Sequence, residues 1–147
     1  MNGIWQVETN IDDMNPQGTE YVFSRLLETG AKDVWATPVI MKKGRPGIML
    51  CALCEERLLQ DVSTVILTET TSIGVRCFPV ERKECSREIV AVRVGGRDIH
   101  CKVSRYDGTV TTITAEYDEC RTAAAETGTP LKEWRRRAEE EAYKIHG

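Results

Sequence analysis

No apolar run in this 147-residue chain is long enough to cross a bilayer, and residues 1–7 lack the pattern of a signal peptide. No membrane role is therefore expected. Positive charge is not in excess either: 20 lysines and arginines face 23 aspartates and glutamates, a net charge of -3. That balance argues against a protein that coats nucleic acid, though it leaves room for a local basic patch. There is no Walker loop, no GxGxxG, no repeat and no low-complexity linker. Only two histidines occur, His100 on the polar side of a strand and His146 in a terminal segment expected to fray. Cys51-Ala52-Leu53-Cys54 has the CxxC spacing, but no second pair follows at zinc-site distance. Residues three apart on a strand face opposite sides, so core packing explains both thiols better than a metal. Without a secretory context, the six cysteines are expected to be reduced in a cytoplasmic protein.

What the chain does have begins at Glu8-Thr9-Asn10-Ile11-Asp12-Asp13-Met14-Asn15-Pro16. Trp5, Val7, Thr9 and Ile11 alternate with Gln6, Glu8, Asn10 and Asp12, the period of a half-buried strand. The polar set is acidic and ends at a helix start, Asn15-Pro16. Oxygen ligands gathered at a strand's end suit a hard divalent cation. Asp12, Asp13 and Asn15 equally suit helix capping, and on this stretch alone capping is the simpler reading.

Two further clusters change the balance. Met41-Lys42-Lys43-Gly44-Arg45-Pro46-Gly47 joins apolar runs at residues 34–41 and 48–53. Its cations neutralise polyphosphate charge and its glycines allow close backbone approach, although charged turns are also common. Glu69-Thr70-Thr71-Ser72-Ile73-Gly74-Val75-Arg76 sets three hydroxyls, a glycine and an arginine between a helix and a strand. Three such loops read better as one polar site than as three accidents. Lys42, Lys43, Arg45 and Arg76 are its expected phosphate partners, with Gly44, Thr70, Thr71 and Ser72 cradling oxygens. Glu8, Asp12 and Asp13 are its expected metal ligands, Asp12 before Asp13 because it is in phase with Glu8 and Asn10.

The periodicities predict an α+β chain. Residues 5–11 read as a strand, and Val22, Phe23, Leu26 and Leu27 as a helical stripe ended by Gly30. Residues 34–41 form a strand whose Pro38 suits an edge or a bulge, and residues 48–53 a buried central strand. Leu58, Leu59, Val62, Val65 and Ile66 give a second helical stripe, and residues 73–80 return as a strand. This βαββαβ order is that of a ferredoxin-like sandwich, expected over residues 1–84 as the nucleotide- and metal-binding domain.

A charged hinge, Glu81-Arg82-Lys83-Glu84, leads to a smaller unit of antiparallel strands plus two helices, residues 85–147. Residues 89–94 and 98–105 flank the hairpin signal Gly95-Gly96, and Asp107-Gly108 turns into residues 110–116. A helix from about Asp118 stops at Gly128. Thr129 is then expected to cap a last helix with Pro130 at its first position. Leu131, Trp134, Ala138, Ala142 and Ile145 line that helix's apolar face. The run Arg135-Arg136-Arg137-Ala138-Glu139-Glu140-Glu141 reads as a solvated face with i,i+4 pairing.

With all three loops in hand, the chain resembles the C-terminal part of the LarC family of nickel insertion proteins. The resemblance rests on Glu8–Met14, Met41–Gly47 and Glu69–Arg76. It continues through Glu116-Tyr117, Cys120 and Pro130-Leu131-Lys132-Glu133, with Ala115 where a proline is associated with the family. It implies a lyase-class, CTP-dependent insertase that completes the nickel-pincer nucleotide cofactor of lactate racemase. CTP, accompanied by Mg²⁺ or Mn²⁺, would be consumed to CMP as Ni²⁺ enters a pyridinium bis-thiocarboxylate mononucleotide. Nickel prefers that substrate's sulfur, so the oxygen cluster is expected to serve Mg²⁺ or Mn²⁺. A large N-terminal LarC region is an implied partner, and a homo-oligomer, trimer or hexamer, is expected partly from exposed sheet edges. The rival readings are a small-molecule regulatory module and an oligomerisation domain without nucleotide binding.

Overall fold

A computed structural model describes residues 3–147. The chain divides into two compact units, Met1–Arg82 and Lys83–Gly147, a boundary inside the charged hinge. The first unit runs β1 (Ile4–Ile11), α1 (Thr19–Glu28), β2 (Asp33–Ile40), β3 (Pro46–Glu55), α2 (Leu59–Glu69) and β4 (Arg76–Val80). Its sheet has the order β2-β3-β1-β4, antiparallel at every junction. That is the ferredoxin-like arrangement.

The alternation of β1 sends Val7, Thr9 and Ile11 inward beneath the helices. Val22 and Leu26 of α1 and Val62, Val65 and Ile66 of α2 meet them there, each set spaced along one helical face. Leu27, one position off that face, is exposed. A Schellman-type stop ends α1: Ala31 N–H donates to the Leu26 carbonyl and Gly30 N–H to that of Leu27. Gly30 holds φ 106°, a conformation that favours glycine. Pro38 lies on the edge strand β2, opposite Ile48. Cys54 packs in the core, while the Cys51 thiol meets Glu8 on the other sheet face. All six cysteines are free thiols.

Strand β4 begins at Arg76, three residues later than the sequence pattern predicts. Residues 70–75 instead form a loop held by its own hydroxyls, which leaves Ile73 fully exposed.

The second unit contains β5 (Ser86–Val94), β6 (Arg97–Tyr106), β7 (Thr109–Ala115), α3 (Tyr117–Thr127) and α4 (Leu131–His146). Its three strands pair antiparallel in sequence order. Val92, Ile99, Cys101, Val103 and Ile113 form a core with Trp134, Ala138 and Ala142 of α4. Ile145 proves exposed, lying beyond the buried part of that face. Thr129 does not cap α4. Pro130 holds the cap position, its carbonyl accepting the N–H groups of Glu133 and Trp134, while Thr129 N–H donates to the Thr127 hydroxyl. His146 is tied down by its carbonyl, which accepts from Arg105 Nη2 at 2.7 Å. The arginine run pairs along its helix, with Arg136 bridging Glu133 and Glu140.

Gly95 carries two constraints at once. Its φ is 54°, and a Cβ placed there would lie 2.8 Å from the ring of buried Trp134. Gly96 has φ 78° and open space around it. Gly95→Ala should therefore cost about 2–4 kcal/mol, from backbone strain plus overpacking, against about 1 kcal/mol for Gly96→Ala. Urea unfolding of the two variants checks the ordering, and equal losses would contradict the Trp134 contact.

Candidate functional site

Because β1 and β2 are both antiparallel to β3, they point the same way. The C-terminal ends of β1 and β2 and the N-terminal ends of β3 and β4 consequently share one end of the sheet. Ile11 pairs with Ile48, Ile40 with Pro46, and Glu8 with Arg76. All three polar clusters of the sequence lie at that end. A cleft of about 420 Å³ is lined by Asn10, Asp12 and Asp13 from the first cluster and by Thr71, Ser72 and Arg76 from the third. A neighbouring hollow of about 350 Å³ lies between Asp12, Met14, Pro46 and Gly47, so Asp12 borders both.

The second cluster reaches Asp12 through Arg45, whose Nη1 lies 3.7 Å from Asp12 Oδ2. Lys42 and Lys43 line neither hollow and stand exposed on the turn. Lys43 holds φ 61°, a left-handed conformation uncommon for a side-chain-bearing residue. Gly44 follows at φ 70° with nothing close to it. The close approach belongs to Gly47, where a Cβ would lie 2.5 Å from the Ile11 carbonyl oxygen. Glycine there lets β3 and β1 meet at the cleft's edge.

The hydroxyls of the third cluster are used within the structure. Thr70 Oγ1 donates to the Ile66 carbonyl at 2.6 Å and accepts from Ser72 N–H. The Thr71 hydroxyl donates to Asp13 Oδ1. Ser72 and Thr9 share a hydrogen bond, and both hydroxyls meet the Gly74 carbonyl. These contacts shape the loop and join it to β1.

The three predicted metal ligands do not converge. Glu8 Oε1 accepts from Arg76 Nε at 2.7 Å, and its Oε2 accepts from Gln6 Nε2 and from the Cys51 thiol. Asp12 faces Arg45 and Asp13 faces Thr71. Asn15, alone of the three suspected caps, caps the short turn Pro16–Gly18, accepting from Gln17 N–H at 3.0 Å. Among the described residues, no three His, Cys, Asp or Glu side chains are grouped to hold a metal. A Mg²⁺-type ion bound through phosphates needs only one or two carboxylates, and Asp12 and Asp13 on the cleft wall fit that lesser demand.

The sequence singled out no partner for Arg76. Asn10 supplies one, its Oδ1 accepting from Arg76 Nη2 at 2.8 Å, and its phase with Glu8 was the available signal. The hydrogen bond from Arg76 lowers the Glu8 carboxyl pKa below its ordinary value, ahead of an opposing effect of burial. Burial, then the bond to Glu8, pushes the Cys51 thiol up to about 11, so it stays protonated.

Fold and cleft together define a two-unit α+β protein that presents a mixed-charge cleft, cationic and acidic, at one end of a ferredoxin-like sheet. Residues 1–135 match the family described as nickel insertion protein. The pyridinium-3,5-bisthiocarboxylic acid mononucleotide nickel insertion protein of Clostridium kluyveri is 50% identical over 120 residues, covering 82% of this chain and 30% of that protein. Its Thermotoga petrophila counterpart is 42% identical over 127 residues, 86% of this chain and 32% of that protein. Among solved structures, the apo form of LarC2, the C-terminal domain of a cyclometallase involved in synthesis of the NPN cofactor of lactate racemase, superposes with a TM-score of 0.82. It is 31% identical, with 97% of this chain and 98% of that one covered. A Methanopyrus kandleri AV19 protein gives a TM-score of 0.73 at 29% identity, covering 99% of this chain and 89% of that one. The chain belongs to the LarC nickel insertion protein family. It spans about a third of the length of the curated relatives it matches.

Lys43→Gly separates the turn's stability from its use. Glycine relieves the left-handed backbone, so stability should hold or rise by up to about 1 kcal/mol. If the side chain serves a phosphate, anion affinity should fall by roughly 1.5–3 kcal/mol in the same variant. Thermal melts and a polyphosphate titration read the two effects, and intact affinity would remove Lys43 from the site.

Acid sensitivity tests the Glu8 contact. Its folded pKa lies below the unfolded value of about 4.3, so its contribution is complete above that value and lost as pH falls through the folded pKa. Glu8→Gln should flatten the acid side of the stability profile, read by urea unfolding from about pH 6 to about pH 3. A slope identical to the parent's would contradict the lowered pKa.

Proposed function

We propose that this chain is the nucleotide-binding part of an enzyme that inserts nickel into pyridinium-3,5-bisthiocarboxylic acid mononucleotide with consumption of CTP. The product would be the nickel-pincer nucleotide cofactor of lactate racemase. The observation that carries the reading is the meeting of three polar loops at one end of the sheet, where the acidic and hydroxyl-rich loops line a cleft and Arg45 of the cationic loop reaches its Asp12. Family membership and the names of the relatives supply the substrate and the metal.

Chemistry at a nucleotide's α-phosphorus asks a protein mainly for position and charge. Arg76 borders the cleft, Arg45 reaches Asp12 on its wall, and Lys42 and Lys43 add charge from the adjoining turn. Asp12 and Asp13 would hold the Mg²⁺ or Mn²⁺ that accompanies the nucleotide, which neutralises phosphate charge. Nickel is cargo in this scheme and finds its sulfur ligands on the substrate. The cytosine preference rests on the family alone. A cytoplasmic, trimeric or hexameric assembly completes the reading. Its support is the edge position of β4, the exposure of Phe78 upon it, and the six free thiols.

Calorimetry with CTP, ATP, GTP and UTP in the presence of Mn²⁺ tests the proposal. CTP should bind most tightly, and Arg45→Ala should weaken it by roughly 1.5–3 kcal/mol. Asp12→Asn should do more harm than Asp13→Asn, because Asp12 borders both hollows while Asp13 is already bonded to Thr71. Equal affinity for all four nucleotides would remove the selectivity, and absence of binding would favour an assembly role.

A further inference from the structure

The geometry points to Glu8 and Asn10 as a positioning pair that fixes Arg76 on an oxyanion in the cleft, with Glu8 serving the arginine rather than a metal ion. The ligand class, a metal-bound polyphosphate, rests on the functional reading above.

Arg76 opens β4 directly across from Glu8 in the antiparallel register. Its Nε bonds Glu8 Oε1 at 2.7 Å and its Nη2 bonds Asn10 Oδ1 at 2.8 Å. Asn10 is two residues beyond Glu8, so both point to the same sheet face. The guanidinium plane is thus held at two points. A guanidinium has five N–H donors, so three remain after these bonds, and the Arg76 side chain is 50% exposed where it borders the cleft. Asn10 has its carbonyl oxygen committed and keeps its NH₂ group. This wall therefore has donors to spare. Asp12 and Asp13 supply acceptors elsewhere in the same cleft. A ligand carrying oxyanions and a cation together satisfies both.

Glu8 is poorly placed to bind that cation. Its side chain is 12% exposed, and both oxygens already accept hydrogen bonds, from Arg76 on one side and from Gln6 and Cys51 on the other. Metal ligation would compete with a charge-assisted bond and leave Arg76 held by Asn10 alone. Holding the arginine has a use of its own: a preorganised fork spends less conformational entropy when the phosphate arrives. The simpler alternative is a cross-strand ion pair that only stabilises the sheet.

The test uses the full chain, with tripolyphosphate and CTP as probes, each with and without Mn²⁺. Glu8→Gln should weaken both probes by roughly tenfold, the scale on which losing an orienting partner impairs a binding side chain. The loss should be the same without metal, and Mn²⁺ affinity at saturating CTP should be unchanged. In an Arg76→Gln background, Glu8→Gln should have no further effect, because the two act as one unit. The Arg76 Nε–H signal in NMR should be protected in the parent and exposed in Glu8→Gln. A loss confined to Mn²⁺ affinity would make Glu8 a ligand and overturn the inference. Additive losses would overturn it too, as would a lowered melting temperature with both affinities intact. Failure of CTP alone, with tripolyphosphate behaving as stated, would sink the nucleotide reading and uphold the positioning pair. Failure of both probes in the parent would sink the two together.

Discussion

Strand β1 has neighbours on both sides, β3 and β4, and its register against them is the constraint on which the first unit depends. A slip by one residue would turn Glu8 and Asn10 in among the helices and Val7 and Ile11 out to water. The register is guarded by more than apolar alternation. Thr9 is a buried polar residue on the core-facing side, and its hydroxyl is satisfied by Ser72 and the Gly74 carbonyl of the loop before β4. A slip would turn Thr9 out to water with Val7 and Ile11 and break the bonds that tie it to this loop. The same contact binds the third polar loop to the first strand, so fold and site are secured by one interaction.

The antiparallel order then gathers the chemistry. A βαββαβ chain whose neighbours all run antiparallel must return its β1–α1, β2–β3 and α2–β4 connections to one end. Residues 8–15, 41–47 and 69–76 occupy those connections and the strand ends beside them. Clusters remote in sequence thereby share one end of the sheet, with Asp12 bordering both hollows and paired to Arg45.

Much of this was legible in the sequence because period carries direction. The alternation from Trp5 to Asp12 gave the polar face of β1, and Gly95-Gly96 and Asp107-Gly108 gave two hairpins whose positive φ values are now visible. Pro38 signalled an edge or a bulge, and β2 is the edge strand. The start of β4 was not legible, since residues 73–75 look like strand until the hydroxyl bonds of residues 70–72 are known. Thr129 resembled a cap for the same reason: a threonine before a proline satisfies the local pattern, yet Pro130 itself holds the position. The site's internal pairing was hidden too. Composition presents Glu8 and Arg76 as separate charges for metal and phosphate, and only the cross-strand register reveals them as partners. The hydroxyls of Thr70, Thr71 and Ser72 suited phosphate oxygens in the sequence, whereas in the fold each one bonds within the protein.

The central claim is that three loops at one end of the first sheet form a single ligand site. Backbone amide shift mapping during titration with CTP and Mg²⁺ examines it directly. Changes should concentrate at residues 9–13, 42–45 and 71–76 and move together with one binding curve. Changes concentrated in the second unit, or at the opposite sheet end around residues 29–32 and 55–58, would contradict it.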